Sequence, residues 1–206
     1  MKRLLLVMSV SLVMAACTSE PPKPAETAKP QPTPPEALTG RAAFQRLYAA
    51  ARGWAYDARP YRLESYPTTD ANGHAGKAAI WRGSFGSTLQ RGAKPYVWSG
   101  SNAPDAPSRG INPGVEDTYN PSNASTQVFD AAFLKIDSDK AFEVAQKHGG
   151  DKLLAKTPDA PVLYMLEWSR PTSQLIWHVM YGPSRDTASL RVAVDASSGD
   201  FIRVEK

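Results

Sequence analysis

The groups in this chain best suited to chemistry are few and widely spaced. Its histidines are His74, His148 and His178, and no two share the i, i+4 spacing of a helical metal pair. Ser84, Ser87 and Ser99 lack the G-x-S-x-G setting that presents a nucleophilic serine at a sharp strand-to-helix turn. Asp137 and Asp139 form a carboxylate pair of the kind that shares a proton or holds a cation. At the head of an apolar-periodic segment, though, two acids also cap a helix and face its positive end. Glu167 and His178 fall on neighbouring expected strands. On one face and within hydrogen-bond reach they would make an acid/base pair or an ion pair, and strand register decides whether they meet. The expectation is noncovalent binding without catalytic residue, metal or cofactor.

The most telling residue is the one cysteine, Cys17. A lone cysteine excludes an internal disulfide and a multi-cysteine zinc site. It follows Met1-Lys2-Arg3, an apolar run from Leu4 to Met14, and the small pair Ala15-Ala16. That run is shorter than the roughly 20 residues a spanning helix needs. The arrangement resembles a bacterial lipoprotein signal, with Met14 where leucine is commonest. The resemblance implies cleavage between Ala16 and Cys17, a diacylglyceryl (palmitate-bearing) anchor on the Cys17 sulfur, and attachment to the bilayer without crossing it. The alternative is an ordinary secretory signal cut near Ala15 or Ala16. Thr18, where inner-membrane retention is associated with aspartate, implies the outer membrane, facing the periplasm, if the host has two membranes. Loss of Lys2 and Arg3 takes the side-chain charge from +4 to +2. The remaining Lys and Arg are scattered among acids, which argues against nucleic acid as a partner.

Residues 18–37, rich in proline and free of large apolar side chains, read as an extended tether. Pro32 and Pro35 make a crude PxxP pair, and such pairs arise by chance in any proline-rich tract. The expected division is signal 1–16, lipidated cysteine and tether 17–37, an N-terminal α+β unit 38–125 with a long loop, and a second α+β unit 126–206.

Within 41–52, Phe44, Leu47, Tyr48 and Ala51 recur at helical spacing, with Thr39 as the expected N-cap and Gly53 near the end. Strands are expected at 61–66, 78–87 and 95–99, the last two joined by a turn at 90–94. The Asn/Pro/Gly/Ser-rich stretch 100–125 is a linker or a binding loop. Its end carries a sequon, Asn123-Ala124-Ser125, to which we attach no weight in a bacterial lipoprotein. A strand is expected in 126–136 and a helix over 138–148, with Ala141, Phe142, Ala145 and His148 on its apolar side and Gly149-Gly150 as its stop. Strands at 161–168, 174–181, 190–195 and 201–204 close an antiparallel meander, whose buried face the 138–148 helix covers. Trp54, Trp81, Trp98, Trp168 and Trp177 read mainly as core.

The run DSDKAFEVAQKHGG at 137–150, the Trp177-His178-Val179 strand and the hairpin VAVDASSGD at 192–200 resemble the PepSY domain family. This implies a cystatin-like fold, a helix packed on a small antiparallel sheet. The helix at 41–52 with the strand GKAAIWRGSFG suggests a degenerate second copy lacking the V-D-A-x-x-G hairpin. The resemblance also implies a binding or regulatory role in the cell envelope, toward a protein or peptide partner, with no catalytic residue to carry over. A purely structural envelope role is the alternative. An exposed sheet edge would accept an extended peptide by strand addition.

Overall fold

The computed structural model describes residues 33–205. Its elements are β1 (Leu38–Thr39), α1 (Gly40–Trp54), β2 (Arg59–Tyr66), β3 (Lys77–Ala78), β4 (Ile80–Ser87), β5 (Gly92–Ser99), β6 (Gly110–Pro113), β7 (Asp117–Thr118), α2 (Ser138–Ala145), α3 (Asp151–Lys156), β8 (Val162–Ser169), β9 (Gln174–Tyr181), β10 (Leu190–Asp195) and β11 (Phe201–Glu205). All the strands but β1 and β3, which pair with each other, belong to one antiparallel sheet in the order β11-β10-β9-β8-β2-β4-β5-β6, with β7 also on β5. The class is α+β, as expected.

The order has an internal logic. Each half of the chain supplies a helix followed by an antiparallel meander, and the halves join through their first long strands, β2 and β8. That seam pairs Arg62 with Glu167, Leu63 with Leu166 and Glu64 with Met165. The two halves are therefore fused edge to edge. Segment 100–125 is not a linker between them: it lays β6 and β7 onto β5 at the far side of the sheet.

Period-two alternation sends Leu63, Trp81, Phe85, Tyr96, Trp98, Tyr164, Leu166, Trp177, Val179, Val192 and Val194 to one face, where α1 and α2 seal them into a single core. Each fully buried large side chain contributes about 1.5–3 kcal/mol. Helix α1 buries Ala43, Phe44, Leu47 and Ala51, the stripe that its spacing requires. Trp81, Trp98 and Trp177 are core. Trp54 and Trp168 are only half-buried, the first donating its indole N–H to Glu116 at 3.0 Å.

The halves also lock at their helix starts. Trp81 donates to the Leu38 carbonyl and Trp177 to the Ile136 carbonyl, both at 2.9 Å, each carbonyl lying two residues before a helix. The two indoles meet edge to face at 6.4 Å. A Cβ on Gly40 would come within 2.5 Å of Trp177, so only glycine lets α1 begin there. Thr39 holds the N-cap position but makes no side-chain cap bond. Instead Ser138 Oγ accepts the Gly40 N–H at 2.7 Å, and Asp137 Oδ1 accepts the Arg41 N–H at 2.8 Å while also capping its own helix.

Two further expectations are corrected. Residues 126–136 are not a strand but carry short 3-10 turns at Ala124–Thr126 and Ala131–Phe133. Phe129 is buried and its N–H bonds the Pro60 carbonyl at 2.8 Å, so a single anchor replaces a ladder. The helix expected over 138–148 ends at Ala145. A wide turn follows at Gln146–Gly150, with Gly149 at φ +114°, and helix resumes as α3. His148 is exposed there and stacks on Phe201 with ring centroids 3.6 Å apart.

Candidate functional site

The face of the sheet opposite the helices is the surface on which polar chemistry collects. Register places Arg62 and Glu64 of β2, Arg82 of β4, Glu167 of β8, His178 of β9, Arg191 of β10, and Arg203 and Glu205 of β11 on it. Glu167 and His178, separated in the sequence by a turn of unknown register, do reach one another. The His178 Nε2 to Glu167 Oε1 distance is 3.8 Å, ion-pair range rather than a hydrogen bond. The imidazole's stronger partner is one that spacing does not reveal: Nδ1 lies 2.8 Å from Glu205 Oε2.

These contacts form a ladder across the sheet. Arg62 bonds Glu167 at 2.9 Å, Arg185 approaches Glu167 at 3.9 Å, and Arg203 bonds Glu205 at 2.8 Å. The hydrogen bond from His178 holds the Glu205 carboxyl below its ordinary range against the opposing effect of burial, and the Arg203 charge lowers it further. His178 is buried at 7% exposure, so the ladder ties edge strand β11 to the seam between the halves. The Arg62 Nε is buried without a hydrogen-bond partner.

The remaining chemistry-bearing residues separate. His74 Nε2 is 2.9 Å from the Ala160 carbonyl oxygen, far along the chain from the His178 ladder. Ser87 Oγ donates to Asp57, Ser84 is buried in β4, and the Ser99 Oγ is buried without a partner. Among the described residues no serine hydroxyl bonds a histidine, and no group of three or more His, Cys, Asp or Glu side chains is placed to hold a metal. Asp137 and Asp139 are helix-start residues, Asp137 capping two helices and Asp139 accepting the Lys140 N–H at 2.7 Å. Asp195, at the heart of the VAVDASSGD hairpin, accepts the N–H groups of Ser197 and Ser198 at 2.7 and 3.0 Å. This motif is a turn device. Ala16 and Cys17 lie outside the described residues. Asn123 accepts bonds from Ser125 and caps a 3-10 turn.

No family model and no curated protein matches the chain. Among solved structures, a candidate lipoprotein of Clostridium difficile 630 aligns with a TM-score of 0.49 at 12% identity, covering 77% of this chain and 91% of that one. No helix among the described residues is long and apolar enough to cross a membrane.

The two margins of the sheet differ. At one, β6 is four residues long, ends at Pro113 and leaves Ile111 at 43% exposure, and Arg109 just before it bonds the carbonyls of Pro34 and Gly100 at 3.1 and 2.8 Å. Short length and a proline blunt an edge. At the other, β11 pairs on one side only, with a bulge opposite Ala193 and Val194, and shows Phe201 and Val204 at 38% and 49% exposure. Between the margins, on the uncovered face, the 105–107 and 114–115 segments overhang β2, β4 and β5 to form a cleft of about 510 Å³.

Proposed function

We propose that this chain is a lipid-anchored envelope lipoprotein whose folded part, two PepSY-like units fused into one sheet, is a noncovalent binding or regulatory module. The observation that carries the binding role is margin strand β11, which pairs with β10 alone and leaves Phe201 and Val204 partly exposed, whereas the strand at the other margin, β6, is only four residues long and ends at Pro113. Such an edge accepts an extended segment of a partner protein, with backbone bonds supplying affinity and alternate side chains supplying selectivity. The anchoring role rests on the segment ending at Cys17 and on the proline-rich tether after it, which together hold a domain at a distance from a bilayer in the envelope, at the outer membrane where the host has one.

Two arms test the reading. Metabolic labelling with a palmitate analogue is expected to mark the wild type and not Cys17→Ala; equal labelling of both overturns the anchor. Affinity capture from solubilised envelope is expected to bring down a discrete protein with the full-length chain and to lose it with Val204→Lys, which places a charge on the edge strand. Capture that Val204→Lys leaves unchanged removes the edge from the mechanism, and no specific capture favours a structural envelope role.

A further inference from the structure

The cleft on the uncovered face has its own chemistry, distinct from the β11 edge and from the His178 ladder. Its floor is Ile80, Pro95 and Val97, and its overhang includes Pro107 and Val115, the last 89% exposed. One cation stands in this apolar setting. Arg82 makes no ion pair within 4.0 Å among the described residues; its Nη1 donates a long hydrogen bond of 3.4 Å to the Tyr66 hydroxyl. Glu64, directly across from Arg82 in register, is turned to the same hydroxyl and accepts its proton at 3.0 Å. Tyr66 therefore stands between the two charges, and the guanidinium keeps donors for a further acceptor.

We propose that this cleft binds a small amphiphile with one negative charge, an aliphatic carboxylic acid of medium chain length, with its carboxylate on Arg82 and its chain along Ile80, Val97 and Pro107. Three observations select that class. The volume lies in the range of small-molecule sites. The strands of the floor, β2, β4 and β5, are each paired on both sides, so they offer no backbone ladder to a peptide, whereas an alkyl chain requires none. Asp105 on the exposed rim adds a negative charge to the lining, which repels a single carboxylate less than a phosphate dianion or a polyanion. A guanidinium also matches a carboxylate by a two-point hydrogen bond.

The test is titration calorimetry of the full-length chain, held in amphipol, with decanoate and with its neutral analogue decanol. Saturable decanoate binding is expected, weaker by at least about tenfold for decanol and for Arg82→Gln, since a charge-assisted contact is lost in each case. Ala106→Trp, which adds bulk on the overhang outside the core, is expected to abolish binding, and Arg52→Gln, exposed on α1 on the opposite side of the sheet, to leave it unchanged. Thermal unfolding of each variant confirms the fold. Absence of saturable binding, equal affinity for decanol, or an unaffected Arg82→Gln overturns the proposal. Envelope-protein capture by Arg82→Gln is read in parallel. Its persistence separates a failed cleft from a failed edge.

Discussion

Ser138 shows how much one small side chain can organise. Fully buried, its hydroxyl accepts the Gly40 N–H and donates to the Gly76 carbonyl at 2.6 Å, joining the starts of both long helices to the turn at 74–76. Ser138→Ala leaves two buried backbone groups unsatisfied and is expected to cost about 1–3 kcal/mol by chemical denaturation. Glu205 offers a pH test at the same scale. Its folded-state pKa is depressed by His178, so its contribution is present above the unfolded value near 4.5 and is lost as pH falls through the lower folded value. Glu205→Gln is expected to be less stable than wild type at neutral pH, by a modest amount given partial solvent screening. The gap closes in acid; a gap independent of pH assigns the effect to packing. Nothing in residue spacing pairs His178 with Glu205, 27 positions away. Only strand register brings them together, and register is a property of the folded sheet.

At the scale of elements, legibility tracked how local the determining forces are. Strands β9 and β10 coincide with their expected bounds because continuous or alternating apolar residues face a sealed core. Thr126–Ile136 misled because Val128 and Phe129 are β-prone, yet Phe129 answers to one distant carbonyl rather than to a neighbouring strand. Gly149-Gly150 read as a stop because glycine so often ends helices. The chain uses Gly149 to pass through positive φ and then resumes helix at Asp151. Gly149→Ala is expected to destabilise by about 1–2 kcal/mol in denaturant titration, since a Cβ at φ +114° is strained. Leu190, 3.4 Å from that Cβ position, is in ordinary contact, so strain alone accounts for the loss.

For the whole molecule, the shared core and the β2–β8 seam make the halves one folding unit. Leu63 and Leu166 face each other across that seam, both fully buried. Leu166→Ala is expected to cost about 2–5 kcal/mol and to shift one cooperative calorimetric transition without splitting it. Two separate transitions would mean that the halves fold independently. The helix-plus-meander character of each half was readable from turn signals and periodicity. Their fusion through first strands was not, because β2 and β8 join residues about a hundred positions apart.

The asymmetry of the margins also governs how the molecule bears load. The chain enters the domain beside β5, where the Glu36 N–H bonds the Gly100 carbonyl at 2.9 Å and Arg109 grips Pro34. Strand β11 lies six strand spacings away in the sheet order, roughly 30 Å at the usual interstrand distance. Tension arriving from the N-terminal side meets first the bonds at Pro34 and Glu36 and then the β1–β3 pair. A partner held on β11, as proposed above, and the N-terminal entry would therefore pull on opposite ends of the sheet, so the load between them would run across the whole strand order, through the β2–β8 seam.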